Sequence, residues 1–204
     1  MRIGLTGGIA AGKSLVSGML VSLGAWILDA DAISREVVEP GTEGLKAVVK
    51  EFGEGMLTPD GTLNRRALGA AVFGDEAKLK RLNGILHPMI KAEMLRRAAE
   101  IEEKHPEDMV VFDVPLLIEC GWQDVAEEVW LVSAPIGERI RRIALRDGLS
   151  EEQAMERISA QMTDEEKAKY ADVIIDNGGS IEALEQRVAK LYAERKYGKK
   201  EEKA

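Results

Sequence analysis

The segment that most constrains this chain lies almost at its start. Gly7-Gly8-Ile9-Ala10-Ala11-Gly12-Lys13-Ser14 fits G-x-x-x-x-G-K-[ST] at every fixed position. It follows the apolar run Ile3–Thr6 and precedes Leu15, Val16, Met19, Leu20 and Leu23, whose spacing keeps one helical face apolar. In that setting backbone N–H groups converge on phosphate oxygens, and glycine at positions 7 and 12 removes the Cβ that would obstruct them. Lys13 can bridge the β and γ phosphates and Ser14 can offer its hydroxyl to Mg²⁺. The helix beginning there adds its positive end. The expectation is a nucleoside-triphosphate site built from Gly8, Ile9, Ala10, Ala11, Gly12, Lys13, Ser14 and Leu15. The competing reading, a glycine turn that only joins strand to helix, is disfavoured by the flanking elements.

Four further short runs, Trp26–Asp29, Val110–Val114, Val129–Val132 and Val173–Asp176, read as buried strands. Helical periods lie between and after them, at Ile136, Ile140 and Ile143 and at Ile181, Leu184, Val188 and Leu191. Strands alternating with helices imply right-handed crossovers and a parallel sheet covered on both faces, with ligands at the carboxyl ends of the strands. The predicted fold is α/β, a three-layer sandwich around a five-stranded parallel sheet. From about Thr42 to Lys104 the alternation gives way to helical pattern, punctuated by Gly53, Gly55 and Thr58-Pro59-Asp60-Gly61, which reads as an inserted helical lobe. At 204 residues and 45% hydrophobic, the chain can bury one substantial core with appended lobes, so one catalytic domain is expected. The charged tail Glu194–Lys203 has no apolar period and is expected to fray.

Charge and cysteine usage exclude several classes. The 36 acidic residues against 28 basic ones give net charge -8, which argues against a broad footprint on nucleic acid. Cys120 is the only cysteine, so an intrachain disulfide and a four-cysteine zinc site are impossible, and a reducing cytoplasm fits. The opening residues do not resemble a secretory signal, and no run is long enough to span a membrane.

Carboxylates stand where strands end. Asp29-Ala30-Asp31 closes the second strand, and one of the pair can orient an attacking hydroxyl and accept its proton. Asp31 is the candidate for that role. On position alone, a helix cap formed by Asp29 or Asp31 for the helix through Ile33 to Val38 is an equal reading. Val111-Phe112-Asp113 is an apolar run closed by an acid, the arrangement that supports Mg²⁺ through its hydration shell. Arg139, Arg141, Arg142 and Arg146 crowd the helix after the fourth strand, and the charged segment of about 139–170 reads as a lid. Arg142 and Arg146 share a helical face there. A solvated helix paired with neighbours such as Glu138 and Glu151 is the alternative.

These residues, together with Leu5-Thr6-Gly7-Gly8-Ile9, Arg65-Arg66-Ala67-Leu68, Leu86-His87-Pro88, Val114-Pro115-Leu116-Leu117-Ile118-Glu119 and Ala171-Asp172-Val173-Ile174, resemble the dephospho-CoA kinase family over nearly the whole chain. The resemblance implies a P-loop kinase fold, with an inserted helical substrate lobe and a helical lid, that transfers phosphate from ATP with Mg²⁺ to the ribose 3′-hydroxyl of dephospho-CoA. It implies that Asp31 is the base and that Arg66, His87, Pro115 and Leu116 line the acceptor side. It also implies that Arg142 faces the ATP phosphates, with Arg146 close by on the lid, and that Asn177 lies beside the adenine. Lys13, Arg142 and the metal neutralise charge, with Ser14 and Asp113 serving the metal. The expected protein is cytoplasmic, a monomer or weak homo-oligomer, and binds neither nucleic acid nor membrane. His87 before Pro88 at a helix start can instead act as a cap or satisfy a core hydrogen bond, and Arg65-Arg66 can be a surface feature. The sequence departs from the family at Ala10-Ala11, where Gly-Ser is usual, and at Leu15, where many members carry threonine. Backbone donors do most of the phosphate cradling, so weaker ATP binding is expected rather than different chemistry.

Three rivals remain at this stage. Another small-molecule kinase of the same architecture differs only in its acceptor. A GTP-driven switch lacks support, since no Asn-Lys-x-Asp segment occurs. A nucleic-acid-binding ATPase is opposed by the acidic balance.

Overall fold

The computed structural model describes residues 1–198. Strand β1 (Arg2–Gly7) runs into the glycine loop and α1 (Lys13–Ser22), followed by β2 (Trp26–Asp29) and α2 (Ala30–Glu36). Helices α3 (Glu43–Phe52), α4 (Arg65–Val72) and α5 (Glu76–Lys104) follow. The remainder alternates as β3 (Val110–Asp113), β4 (Glu128–Ser133), α6 (Ile136–Asp147), α7 (Glu151–Ser159), α8 (Asp164–Ala168), β5 (Val173–Asp176) and α9 (Ile181–Tyr197). All five expected strands are present, each within one residue of its expected bounds at either end.

The chain divides into two compact units, one of Met1–Leu28 with the residues from Ala98 onward, the other of Asp29–Arg97. The first unit contains the parallel sheet, in the order β2-β3-β1-β4-β5. β1 lies at its centre, with Leu5 opposite Asp113 of β3 and Trp130 of β4. Alternation along the strands sends Ile3 and Leu5 to one face, where Val16 and Leu20 of α1 and Leu184, Val188 and Leu191 of α9 cover them. Each such side chain contributes ~1.5–3 kcal/mol by leaving water. The sheet centre, buried on both sides, is therefore the rigid reference from which the loops at its carboxyl ends project.

The tail behaves differently from its sequence expectation as far as it is described. Residues Glu194–Tyr197 continue α9, because Arg195 pairs with Glu128 at 2.8 Å and Lys196 reaches Asp108 at 3.2 Å. Ion pairs to Glu128 at the start of β4 and to Asp108 just ahead of β3 offset the missing apolar period. The remainder of the expected fraying segment, 199–203, lies outside the described residues.

The second unit is helical. Val38, Val48, Leu68 and Leu82 form its core, with Leu63, Val72, Ile85 and Leu86 packed against them. Leu86-His87-Pro88 lies inside α5 and not at a helix start, so the capping alternative for His87 is overturned. Pro88 has no N–H, so one i→i−4 hydrogen bond is missing there, yet α5 continues through it.

Candidate active site

The glycine loop is shaped by two different demands. Gly12 has φ 99°, in the left-handed region that glycine tolerates, and a Cβ there would fall on the Asn177 side chain. Gly7 is outside that region; a Cβ there would sit 2.7 Å from the Val132 carbonyl, so closeness to β4 requires glycine. Conformational freedom is thus used at Gly12, whereas at Gly7 the requirement is space. The second left-handed residue of the loop is Ala10, with φ 60°. Holding a Cβ-bearing residue there costs roughly 1–2 kcal/mol.

The strained loop is braced from behind. Arg139 Nε donates to the Ile9 carbonyl at 2.9 Å. Arg142 Nη1 donates to the Ala10 and Ala11 carbonyls at 3.2 and 3.3 Å, and its Nη2 reaches the Asn177 carbonyl at 2.9 Å. The buried Asn177 amide donates to the Ala11 carbonyl at 2.8 Å. With these carbonyls turned toward arginines and an asparagine, the start of α1 is left open: Gly12 forms the N-cap without a side-chain capping bond. The Leu15 and Val16 N–H groups turn back to the Gly12 carbonyl at 3.0 and 3.2 Å, and the positive end of the helix ahead of them suits an anion. The Ile9 N–H is not free to join it, because it donates to Gln161 Oε1 at 2.8 Å.

The Lys13 ammonium is paired with the Asp113 carboxylate. The Asp113 side chain is only 9% exposed, which keeps the pair largely out of water. Ser14 and Leu15 are exposed in the first turn of α1. Thr6 Oγ1 donates to the Pro115 carbonyl at 2.9 Å, tying the end of β1 to the turn after β3, where Leu116 is exposed.

The lid arginines therefore separate. Arg142 meets the loop, while Arg146 pairs with Asp147 at 2.8 Å and is exposed. Arg141 likewise turns to Glu138. Arg139, grouped in sequence with the lid arginines but given no role of its own, has a side chain only 6% exposed and also meets Asp164 at 3.2 Å. An arginine placed three residues before Arg142 on the same helix was the available signal, but its direction depends on where α8 lies.

The second unit carries the remaining candidates. Asp29 caps α2, accepting from the Asp31 and Ala32 N–H groups at 2.8 and 3.1 Å. Of the two acids, Asp29 is therefore the one that caps α2, and Asp31 stands exposed in the first helical turn. The Asp31 carboxylate has no hydrogen bond or ion pair among the described residues. Asn64 caps α4, and Arg66 lies exposed in its first turn, lining a hollow of about 380 Å³ with Asn64, Ala67 and Ala70. A basic side chain beside a helix N-terminus suits an anionic group. His87 is half-buried, and burial holds its pKa below the ordinary value.

A strand leading into a braced phosphate loop, an uncapped helix and a buried lysine–aspartate pair, in a sheet of this strand order, defines a P-loop kinase of small molecules. The comparisons agree. A family model described as dephospho-CoA kinase matches residues 1–183. Curated dephospho-CoA kinases of Geobacter sulfurreducens and Thermobifida fusca are 46% and 45% identical, covering 95% of this chain and 98% and 96% of their own lengths. Among solved structures, TT1252 from Thermus thermophilus has TM-score 0.78 at 36% identity, covering 95% of this chain and 97% of its own. The dephospho-CoA kinase of Campylobacter jejuni has TM-score 0.74 at 28% identity, covering 97% and 98%. A shikimate kinase from Acinetobacter baumannii, 18% identical with TM-score 0.55, covers 96% of this chain and 94% of its own and shares the fold. The chain belongs to the dephospho-CoA kinase family, whose reaction is the ATP-dependent phosphorylation of dephospho-CoA to coenzyme A.

Proposed function

We propose that this kinase moves the γ-phosphoryl group of ATP onto the ribose 3′-hydroxyl of dephospho-CoA with Asp31 as base. A bond forms between the ribose oxygen and the γ-phosphorus, the bond to the β,γ-bridging oxygen breaks, and the hydroxyl proton passes to Asp31. The single observation that carries the reading is the loop of Gly7–Ser14, whose carbonyls are bound behind and whose helix end is left open. Lys13 and Arg142 neutralise phosphate charge, and the exposed, unpaired carboxylate of Asp31 suits proton acceptance. Arg66 and His87, with Pro115 and Leu116, make up the acceptor side. In this reading Asn177 lies beside the adenine, with its amide donating to the Ala11 carbonyl at 2.8 Å. The helices of about 42–104 form the acceptor lobe and those of about 139–170 the lid.

Oxygen donors on a phosphate-binding loop suit a hard divalent cation, and no cluster of three or more His, Cys, Asp or Glu that could hold a metal occurs among the described residues. That donor set fits Mg²⁺, which usually takes one or two protein ligands plus phosphate and water. Ser14 and Asp113 would hold it, and its charge, when bound, offsets that of the phosphates. The lone cysteine, Cys120, is free and consistent with a cytoplasmic setting, and among the described residues no helix is long and apolar enough to cross a membrane.

ADP release with ATP and a panel of acceptors tests the proposal. Dephospho-CoA should stimulate turnover, and Asp31→Asn should lower kcat on the order of a hundredfold or more. Absence of dephospho-CoA-dependent turnover removes the substrate assignment, and near-normal turnover in the variant removes the base.

A further inference from the structure

Gly8 raises a question that phosphate binding does not answer. Its backbone is outside the left-handed region, so any residue could adopt its conformation. What forbids a side chain is Arg139: a Cβ at Gly8 would fall on the guanidinium. The guanidinium itself is fixed from two directions. Its Nε holds the Ile9 carbonyl at 2.9 Å and its Nη1 meets Asp164 at 3.2 Å, while Asp164 also accepts the Ser133 hydroxyl at 2.7 Å. On the other side of residue 9, Gln161 takes the Ile9 N–H at 2.8 Å. Both polar groups of Ile9 are thus held by side chains more than a hundred residues away, from α6 and from the turn entering α8.

The geometry points to Arg139, oriented by Asp164, as a positioning residue for ATP: it sets the phosphate loop by its grip on Ile9, and Gly8 is glycine to admit it. This rests on the loop binding ATP as proposed above. The physical reason is preorganisation. Ala10 is held at φ 60°, and the loop keeps that conformation only if its neighbours over-determine it. Arg139 fixes the residue immediately before Ala10. With the brace gone, loop ordering must be supplied at the moment ATP binds, which lowers affinity without altering the reacting groups.

The test is a calorimetric titration of ATP into the full chain, without acceptor, alongside steady-state kinetics. Arg139→Ala should weaken ATP binding about tenfold or more, the size expected for a lost hydrogen bond to a charged group. Its kcat at saturating ATP and its KM for dephospho-CoA should stay within about threefold, since removing uniform binding changes KM alone. Arg139→Lys should recover little, because an ammonium cannot hold Ile9 and Asp164 in the same fork. Gly8→Ala should be damaging in the native background and add little on Arg139→Ala, giving a strongly non-additive cycle. If Arg139→Ala does not fold, Asp164→Asn carries the same expectation at about threefold. ATP affinity within about twofold of wild type in a folded variant of either residue overturns the inference, as does an additive cycle. Wild-type protein that binds no ATP would instead overturn the proposed function.

Discussion

Lys167 of α8 is fully buried, and its ammonium lies 2.8 Å from the Glu119 carboxylate at the end of the turn after β3. The ammonium finds no aligned hydrogen-bond acceptor among the described residues. The two partners are unequally hydrated, since the Glu119 side chain keeps 22% exposure and Lys167 none.

That inequality gives an asymmetric prediction. Glu119→Gln leaves a buried ammonium without its counter-charge and should cost ~3–5 kcal/mol of stability. Lys167→Met replaces the buried charge by an apolar chain of similar length and leaves a carboxylate that water still reaches, so it should cost ~1 kcal/mol or less. Urea unfolding of the two variants checks the order, and equal losses refute the burial argument.

Ala10 predicts a gain. Its left-handed backbone is one that glycine adopts without a Cβ penalty, so Ala10→Gly should stabilise the fold by ~1 kcal/mol or less. Part of the relief is offset by the larger entropy of glycine in the unfolded chain. Differential scanning calorimetry reads the shift, and a lower melting temperature shows that the loop exerts no strain at this residue.

Arg142 and Arg146 lie one turn apart on α6 but should respond differently. Arg142→Ala removes its hydrogen bonds to three carbonyls, of which Ala11 keeps the Asn177 amide, and should weaken ATP binding about tenfold or more. Arg146→Ala removes an exposed pair with Asp147 and should change ATP affinity less than about twofold. Fluorescence or calorimetric titration distinguishes them, and comparable losses would return Arg146 to the phosphate site.

Acid should act through Glu93. Hydrogen bonds from Arg96 and Arg97 hold its pKa down, from 4.5 to about 2. A folded-state pKa below the unfolded one favours folding above the unfolded value, and the contribution disappears as pH falls from about 4.5 toward about 2. Glu93→Gln should therefore narrow the difference in melting temperature between pH 6 and pH 3, and an unchanged pH profile contradicts the assignment.

Local patterns were enough to reveal the sheet, the phosphate loop and its lysine, because a strand, a glycine turn and an amphipathic helix are written in consecutive residues. The roles of Asp29 and Asp31 were not separable in the same way. Both lie within capping reach of one helix, and only backbone geometry shows that Asp29 takes the two N–H groups. The charged end of α9 was misread for a related reason: periodicity measures an apolar face, whereas Arg195 and Lys196 are fixed by acids far away in the chain.

By itself, the sequence determined that β1 leads into a glycine turn of the P-loop pattern, since Gly12, Lys13 and Ser14 stand in consecutive order between a strand and a helix. Only the tertiary structure decided which arginines touch that turn, that a Cβ at Gly8 would meet the Arg139 guanidinium, and that Asn177 closes on Ala11. Side chains at 139, 142 and 177 reach residues 8 to 11 because parallel strands align their carboxyl ends at one edge of the sheet. A linear pattern cannot state that proximity, because it depends on strand order and on the rotamers that packing selects.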